Sequence, residues 1–362
     1  MKILTIIGAR PQFIKAAVLS RAFKQYSSIE EFIVHTGQHY DDNMSAVFFK
    51  ELGLKQADLN LNIQGGSNAG MLSLMIPAIE KIIREQNPNL VLVYGDTVST
   101  LAGALAAKMC GIKLAHAEAG MRHGDLSISE ELNRVLTDQM SDLLFCSTNT
   151  ALENLYKEGF KDKKAEAYLC GDLMMDAAIY YSEQAKSKKL ILSDTLNANY
   201  VLCTLHRAEN VDDKEKLSAI LAALEEIHKE IPVILPLHPR TKKQMKEFGL
   251  STSVNILEPV GYMDILNLIR NSKLVLTDSG GLQKEAFYFK KHTVLMREQT
   301  EWVELDKHGY LIIAGSDKDK IVSSFHELLN KKSSFSENFY GRGDAGSQVA
   351  SYIERFGKVG KI

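Results

Sequence analysis

Short runs rich in Ile, Val and Leu alternate along the chain with longer stretches whose apolar residues recur at helical spacing. A first series of runs is Ile3–Ile7, Phe32–His35, Leu90–Tyr94, Lys113–His116, Leu143–Cys146 and Tyr168–Cys170. A second is Tyr200–Thr204, Pro232–Leu237, Val254–Leu257, Lys273–Thr277 and Thr293–Met296. Runs that stay apolar throughout, rather than at every second residue, predict parallel strands buried on both faces. Stretches such as Gly66–Glu85 and Asp213–Glu230 predict the helices that cover them. Between the two series lies a polar, Lys- and Ser-rich stretch, 177–199, which predicts a domain junction. The pattern thus predicts an α/β chain with an N-terminal half, 1–176, and a C-terminal half, 200–344. A last helix near Gly346–Phe356 fits either half on pattern alone; we assign 345–362 to the first. Ligands of open α/β sheets bind beyond the carboxyl ends of the strands. Two such sheets facing each other predict a central cleft, so polar residues at strand ends are the candidates for chemistry.

Composition narrows the function classes. A chain of 362 residues, 45% apolar, is too long for one ordinary domain and suits two. Its 43 basic and 45 acidic side chains leave a net charge of -2. Non-specific nucleic-acid binding needs a strongly basic face, and that balance does not supply one. It gives no reason to expect attachment to an acidic membrane surface either. No apolar run reaches the roughly 18–20 residues that span a bilayer. The N-terminal run is too short for a signal peptide and leads into Gly8-Ala9-Arg10-Pro11, so it predicts a first strand. Cys110, Cys146, Cys170 and Cys203 are scattered without CxxC spacing, which predicts neither a disulfide framework nor a zinc site. The expectation is a soluble, cytoplasmic protein without a metal.

Five constellations stand at the predicted strand ends. Gly8-Ala9-Arg10-Pro11-Gln12-Phe13-Ile14-Lys15 offers a tight turn, a helix start near Pro11 aimed at an anion, and two cations, Arg10 and Lys15. The alternative is a loop with two solvated charges. Tyr94-Gly95-Asp96-Thr97 closes a strand, and Asp96 is either a base or sugar-hydroxyl acceptor, or part of an N-cap with Thr97. His116-Ala117-Glu118 ends the next strand, ahead of Arg122, His123 and Asp125, and Ser129-Glu130-Glu131-Leu132-Asn133-Arg134 follows. Glu130 and Arg134 stand four apart, a spacing that predicts a pair on one helix face. Thr204-Leu205-His206-Arg207 opens the second half, with His206 and Arg207 where a ligand would sit or, alternatively, a capping histidine. The last, Thr277-Asp278-Ser279-Gly280-Gly281, enters a helix that carries Glu285. It predicts a phosphate cradle of backbone amides and a hydroxyl, with Glu285 in reach of ribose hydroxyls. An N-cap accounts for the turn but not for Glu285. The Gly8–Lys15 stretch is not a GxGxxG, and the Thr277–Ala286 stretch is not a P-loop. His238-Pro239-Arg240 reads as structural, Trp302 as packing, Met174-Met175 as core, and Lys161–Lys164 as a surface turn.

Taken in order, GARPQFIK, HTGQHYDDNM, VYGDTVSTLAGALAA, HAEAGMR, SEELNR, TLHRAEN and LTDSGGLQKEA resemble the non-hydrolysing UDP-N-acetylglucosamine 2-epimerases, with which the whole chain is collinear. The resemblance implies a GT-B-like fold of two Rossmann-type, doubly wound parallel-sheet domains around a cleft, working as a homodimer. It implies a UDP-sugar substrate, no cofactor and no metal, and a place in cell-surface polysaccharide synthesis. By motif, Asp96, Glu118, Glu130 and His206 match the family's catalytic positions, and Lys15 and Arg134 its sugar-side cluster. Arg10, Ser279, Gly280 and Glu285 match residues that hold the UDP, with Arg207 and Gly281 beside them. Ser129 stands where the family usually has Pro. The usual HRREN reads His206-Arg207-Ala208-Glu209-Asn210, so a regulatory UDP-sugar site is not implied here. Glu301-Trp302-Val303-Glu304 replaces a commoner ERPE and resembles a branch that includes epimerases for UDP-2,3-diacetamido-glucuronic acid.

The expected reaction is UDP-GlcNAc to UDP-ManNAc by loss and re-addition of UDP through a glycal, with the 2,3-diacetamido uronic acid as the alternative sugar. A hydrogen on carbon 2 with no adjacent carbonyl is not acidic, so elimination replaces simple enolisation. Inversion then needs acid–base groups on both faces of that carbon. A GT-B glycosyltransferase is the rival reading, but it has less use for three carboxylates in the first half. A hydrolysing epimerase would differ in product, and a non-catalytic sugar-binding regulator would not need the carboxylates.

Overall fold

The structure is a computed structural model describing residues 1–38, 52–185 and 199–358. Contacts divide the chain into two compact units, Met1–Ile179 with Asn338–Ile362, and Tyr180–Glu337. The first passage between them falls within the helix Leu173–Ala185. Most of the junction expected over 177–199, and residues 39–44 of the HTGQHYDDNM motif, lie outside the described residues.

The first unit is built on a seven-stranded parallel sheet in the order β3-β2-β1-β4-β5-β6-β7. Its strands are β1 (Lys2–Ile7), β2 (Glu30–His35), β3 (Leu59–Asn60), β4 (Leu90–Tyr94), β5 (Lys113–Ala119), β6 (Leu143–Cys146) and β7 (Glu166–Leu169). Side chains alternate across each strand. Leu4, Ile6, Val34, Val91, Val93 and Leu114 form one face, on which the helices Asn68–Gln86 and Val98–Met109 pack. The helices Arg10–Phe23 and Ala345–Lys358 lie against each other. A Cβ on Gly346 would come within 2.7 Å of Val18, so the glycine permits this approach. Asp176 accepts the Ala345 and Gly346 amides (3.1 and 2.8 Å) and fastens the start of the last helix to the unit.

The second unit repeats the plan with six parallel strands in the order β10-β9-β8-β11-β12-β13. They are β8 (Val201–Thr204), β9 (Val233–Pro236), β10 (Asn255–Leu257), β11 (Leu274–Thr277), β12 (Thr293–Leu295) and β13 (Leu311–Ile313). Val201, Cys203, Val233, Leu235, Leu274 and Leu276 enter the core beneath the helices Lys214–His228 and Lys318–Asn330. Tyr200, Leu202, Ile234 and Val275 point the other way, toward Tyr262–Asn271 and Gly280–Tyr288. In each unit the strand order reverses beside the first strand, at β1/β4 and β8/β11. These are the switch points where such sheets bind ligands. The short strands β3 and β13 were not among the predicted runs. All four cysteines are free, and Cys146, Cys170 and Cys203 are buried as apolar filler. Among the described residues no helix is long and apolar enough to cross a membrane, and no His, Cys, Asp and Glu cluster could hold a metal ion.

Candidate active site

In the first unit the chemistry gathers where β4 and β5 end. The β1 turn is packed without slack: a Cβ on Gly8 would fall 2.1 Å from Thr36 Oγ1 and 2.2 Å from Ser99 Oγ. The buried Gln12 side chain accepts the Gly8 and Ala9 amides (2.7 and 3.0 Å). It donates to Tyr94 O (2.8 Å) and to Thr97 and Thr100 Oγ1 (both 3.0 Å), tying the first helix to the end of β4. The Gly8 and Ala9 amides, just ahead of the helix, are therefore satisfied internally. Lys15, one turn further on, is buried and ion-paired with Glu118.

Glu118 ends β5 at a register shift and has a backbone φ of 71°, a left-handed conformation uncommon for a residue with a Cβ. The Gly95 turn is left-handed as well, and a Cβ there would meet Glu118 Oε2 at 3.1 Å and Lys15 Nζ at 3.5 Å. Glycine lets the β4 turn close over the ion pair, and Asp96 follows it. Thr97, not Asp96, caps the next helix, accepting the Thr100 amide. Asp96 is ion-paired with Arg134, whose other terminal nitrogen donates to Glu131 Oε2 (2.9 Å). Burial works against the Arg134 charge, but Asp96 and Glu131 outweigh it and raise its pKa. A cavity of about 10 Å³, large enough for about one water, borders Lys15, Glu118 and Ser147. Ser147 Oγ is buried with no protein partner.

In the second unit β8 and β11 end side by side. Asp278 is fully buried and accepts the backbone amides of His206 (2.9 Å) and Arg207 (2.8 Å). His206 Nδ1 lies 3.1 Å from Asp278 Oδ1. Burial alone would push the Asp278 carboxyl up, but the contacts to His206 and Arg207 more than offset it and hold it below the usual range. A carboxylate on Nδ1 fixes the ring's orientation and directs Nε2 outward, and the His206 side chain keeps 36% exposure. Ser279 caps the following helix through the Leu282 amide (3.4 Å). A Cβ on Gly280 would lie 3.5 Å from the Arg207 guanidinium, 3.9 Å from the Glu301 carboxylate and 4.0 Å from the Arg297 guanidinium. Arg297 in turn pairs with Glu301 (3.1 Å). Trp302 donates from Nε1 to Gly280 O (2.8 Å) and carries the Lys284 ammonium 3.9 Å above its ring. It therefore buttresses the cradle as well as packing. Glu285 is buried one turn into the helix.

The structure brings Lys15, Glu118, Asp96 and Arg134 together in one unit, and His206, Arg207, Ser279 and Gly280 in the other, with Gly281 and Glu285 on the same helix. Arg10 starts the first helix, half-buried. Glu130 does not join its group. It is exposed, accepts from Ser129 Oγ (3.0 Å), and leaves Arg134 to Glu131. The predicted Glu130–Arg134 pair is thus corrected to Glu131–Arg134, three apart. Glu131 also accepts the His123 and Gly124 amides (both 2.9 Å), so it anchors the loop. His238 caps its helix through the Arg240 amide, a structural role. Asp278, Gln12 and Glu131 were quoted only as parts of motifs, and their burial with several donors distinguishes them.

A sheet with ion-paired carboxylates at its strand ends, joined in one chain to a second with a helix start beside two arginines, is an arrangement suited to an α/β enzyme of nucleotide-activated sugars. Residues 21–354 match the UDP-N-acetylglucosamine 2-epimerase family model. The chain is 48% identical to the UDP-2,3-diacetamido-2,3-dideoxy-D-glucuronate 2-epimerase of Pseudomonas aeruginosa, covering 98% of this chain and all of that one. It is 41% identical to a UDP-N-acetylglucosamine 2-epimerase of Methanococcus maripaludis, over 97% of this chain and 98% of the relative. The crystal structure of Methanocaldococcus jannaschii UDP-GlcNAc 2-epimerase with UDP-GlcNAc and UDP superposes with a TM-score of 0.89 at 38% identity, covering 98% and 100% of the two chains. The chain belongs to the UDP-N-acetylglucosamine 2-epimerase family, GT-B-like isomerases that epimerise UDP-sugars.

Proposed function

We propose that the protein inverts carbon 2 of UDP-2,3-diacetamido-2,3-dideoxy-D-glucuronate without hydrolysing it. The observation that carries the chemistry is the pair of carboxylates, Asp96 and Glu118, at the ends of neighbouring strands, each ion-paired to a buried cation. A carboxylate takes the proton from carbon 2 while the bond from carbon 1 to the UDP oxygen breaks, leaving a glycal and free UDP. UDP then adds back to carbon 1 as a proton reaches the other face of carbon 2. The first unit thereby supplies the acid–base groups. The second holds the departing diphosphate on the Ser279–Gly281 helix start, Arg207 and His206, with Glu285 toward the ribose. Glu130, exposed and outside the cluster, is the weakest of the proposed catalytic residues.

The sugar is supported by the 48% identity to the Pseudomonas enzyme and by Trp302 in the Glu301-Trp302-Val303-Glu304 stretch. The second reading, UDP-GlcNAc as substrate, is supported by the Methanococcus maripaludis relative at 41%. The experiment is steady-state turnover of both UDP-sugars by wild type, Asp96→Asn and Glu118→Gln. Each variant is expected to lose at least about 1000-fold in kcat while binding UDP within a few-fold of wild type. A variant at wild-type rate would remove that residue from the mechanism.

A further inference from the structure

Behind the two carboxylate-bearing strand ends a chain of four side chains runs from a buried pair out to the surface at Glu158, and neither the motifs nor the proposed reaction gives it a role. His116 and Asp138 are both fully buried. His116 Nε2 donates to Gly95 O (2.7 Å), and its Nδ1 lies 2.7 Å from Asp138 Oδ1. The other oxygen, Asp138 Oδ2, accepts the Gly120 amide (3.0 Å) and Arg122 Nη1 (2.7 Å). Arg122 continues into a two-pronged contact with Glu158 (2.6 and 2.8 Å). The ring is held at both nitrogens, by a backbone carbonyl and by the Asp138 carboxyl group, so rotation breaks both contacts.

What the pair grips is specific. Gly95 immediately precedes Asp96, and Gly120 is two residues after Glu118. Gly95, Glu118 and Gly120 all have left-handed backbone, with φ of 60°, 71° and 80°. A strand end held in that conformation at a non-glycine residue needs its surroundings to over-determine it. The Gly95 amide adds one tie, donating to Ala117 O (2.9 Å). Asn154 Nδ2 adds another, donating to Gly120 O (3.1 Å).

We propose that His116 and Asp138 are positioning residues that register the Asp96 turn against the Glu118 turn, fixing the spacing of the two acid–base groups without touching substrate. The proposal rests on the epimerase reading. It implies that hydrogen-bond geometry matters rather than the Asp138 charge. In Asp138→Asn the amide NH2 donates to His116 Nδ1, the amide oxygen accepts from Gly120 and Arg122, and His116 still donates to Gly95 O. Asp138→Ala cuts the Gly120 and Arg122 contacts and frees the ring.

The test compares wild type, Asp138→Asn and Asp138→Ala in kcat, KM, UDP affinity and the hydrogen-exchange rate of the Gly120 amide. Asp138→Ala is expected to lose at least about 30-fold in kcat with KM and UDP affinity within about threefold, and to exchange the Gly120 amide at least about tenfold faster. Asp138→Asn is expected to stay within about threefold of wild type on every readout. An Asp138→Ala protein that binds UDP normally and turns over at the wild-type rate would overturn the proposal, as would Asp138→Asn as slow as Asp138→Ala. Should Asp138→Ala fail to fold, His116→Phe, which fills the space and cuts both ring contacts, takes its place under the same kcat, KM and UDP-affinity thresholds, the Gly120 amide staying on Asp138. If both fail to fold, the pair is a folding element and the proposal is withdrawn. A wild type inactive on either UDP-sugar would instead sink the functional reading, and the Gly120 exchange rates would then decide positioning on their own.

Discussion

Asp278 shows how one buried carboxylate organises a neighbour's chemistry. With no exposure, it gathers the His206 and Arg207 amides and His206 Nδ1, and it directs the rest of the ring outward. If it acts through His206, removing both must cost no more than removing the histidine. We expect Asp278→Asn to lower kcat/KM about tenfold or more, and Asp278→Asn/His206→Ala to be no slower than His206→Ala. Additive losses in that double-mutant cycle would give Asp278 a role independent of the ring. At this scale the sequence was legible for residue type but not for partner. Two adjacent glutamates precede Arg134, and a helix phase uncertain by one residue, about 100° of rotation, decides which of them pairs. The structure chooses Glu131, which the loop amides of His123 and Gly124 also require. His116 and Asp138 lie 22 residues apart, so nothing local announces their contact.

Gln12 is the link from residue to element, because one amide group joins the first helix to the end of β4. Gln12→Ala leaves the buried Gly8 and Ala9 amides without acceptors, and each such orphan costs roughly 1–3 kcal/mol. We expect about 2–4 kcal/mol of lost stability by denaturant titration; a loss under 1 kcal/mol would show that the turn relaxes to find water. The last helix is fastened by a group with its own pH dependence. Burial raises the Asp176 carboxyl from 3.8 to about 6, against the opposing effect of the Gly346 and Ala345 amides. A carboxyl whose folded pKa is raised contributes stability that is present below its unfolded pKa and is lost as pH rises through the folded value. The stability of wild type relative to Asp176→Asn should therefore fall between about pH 4 and pH 6. A difference flat across that window, or one rising with pH, would contradict the buried, raised group. Elements were legible in proportion to length and apolarity. All eleven predicted runs became strands, whereas β3, with two residues, and β13, with three, carry too little pattern to stand out.

At the scale of the whole molecule, two sheets with one strand order, each with polar residues at its switch point, account for why the sequence carries its chemistry in separate clusters. In the proposed reaction the cluster of the first unit serves carbon 2 and that of the second serves the diphosphate. Family and reaction type were legible because seven motifs fall in order, six beginning at or near strand ends and SEELNR at a helix start. The sugar was not, since the carbon 3 and carbon 6 substituents leave no motif among those segments. UDP-GlcNAc was the first expectation and the diacetamido uronic acid its alternative, and the 48% identity to the Pseudomonas epimerase weighs for the alternative. The most direct measurement is proton NMR of the protein with UDP-2,3-diacetamido-2,3-dideoxy-D-glucuronate in deuterated water, beside a matched sample with UDP-GlcNAc. The account predicts that the uronic acid gives its carbon-2 epimer, still attached to UDP, with deuterium at carbon 2 of both epimers, and at a higher rate than UDP-GlcNAc. Free sugar and UDP as products, or turnover of UDP-GlcNAc alone, would contradict it.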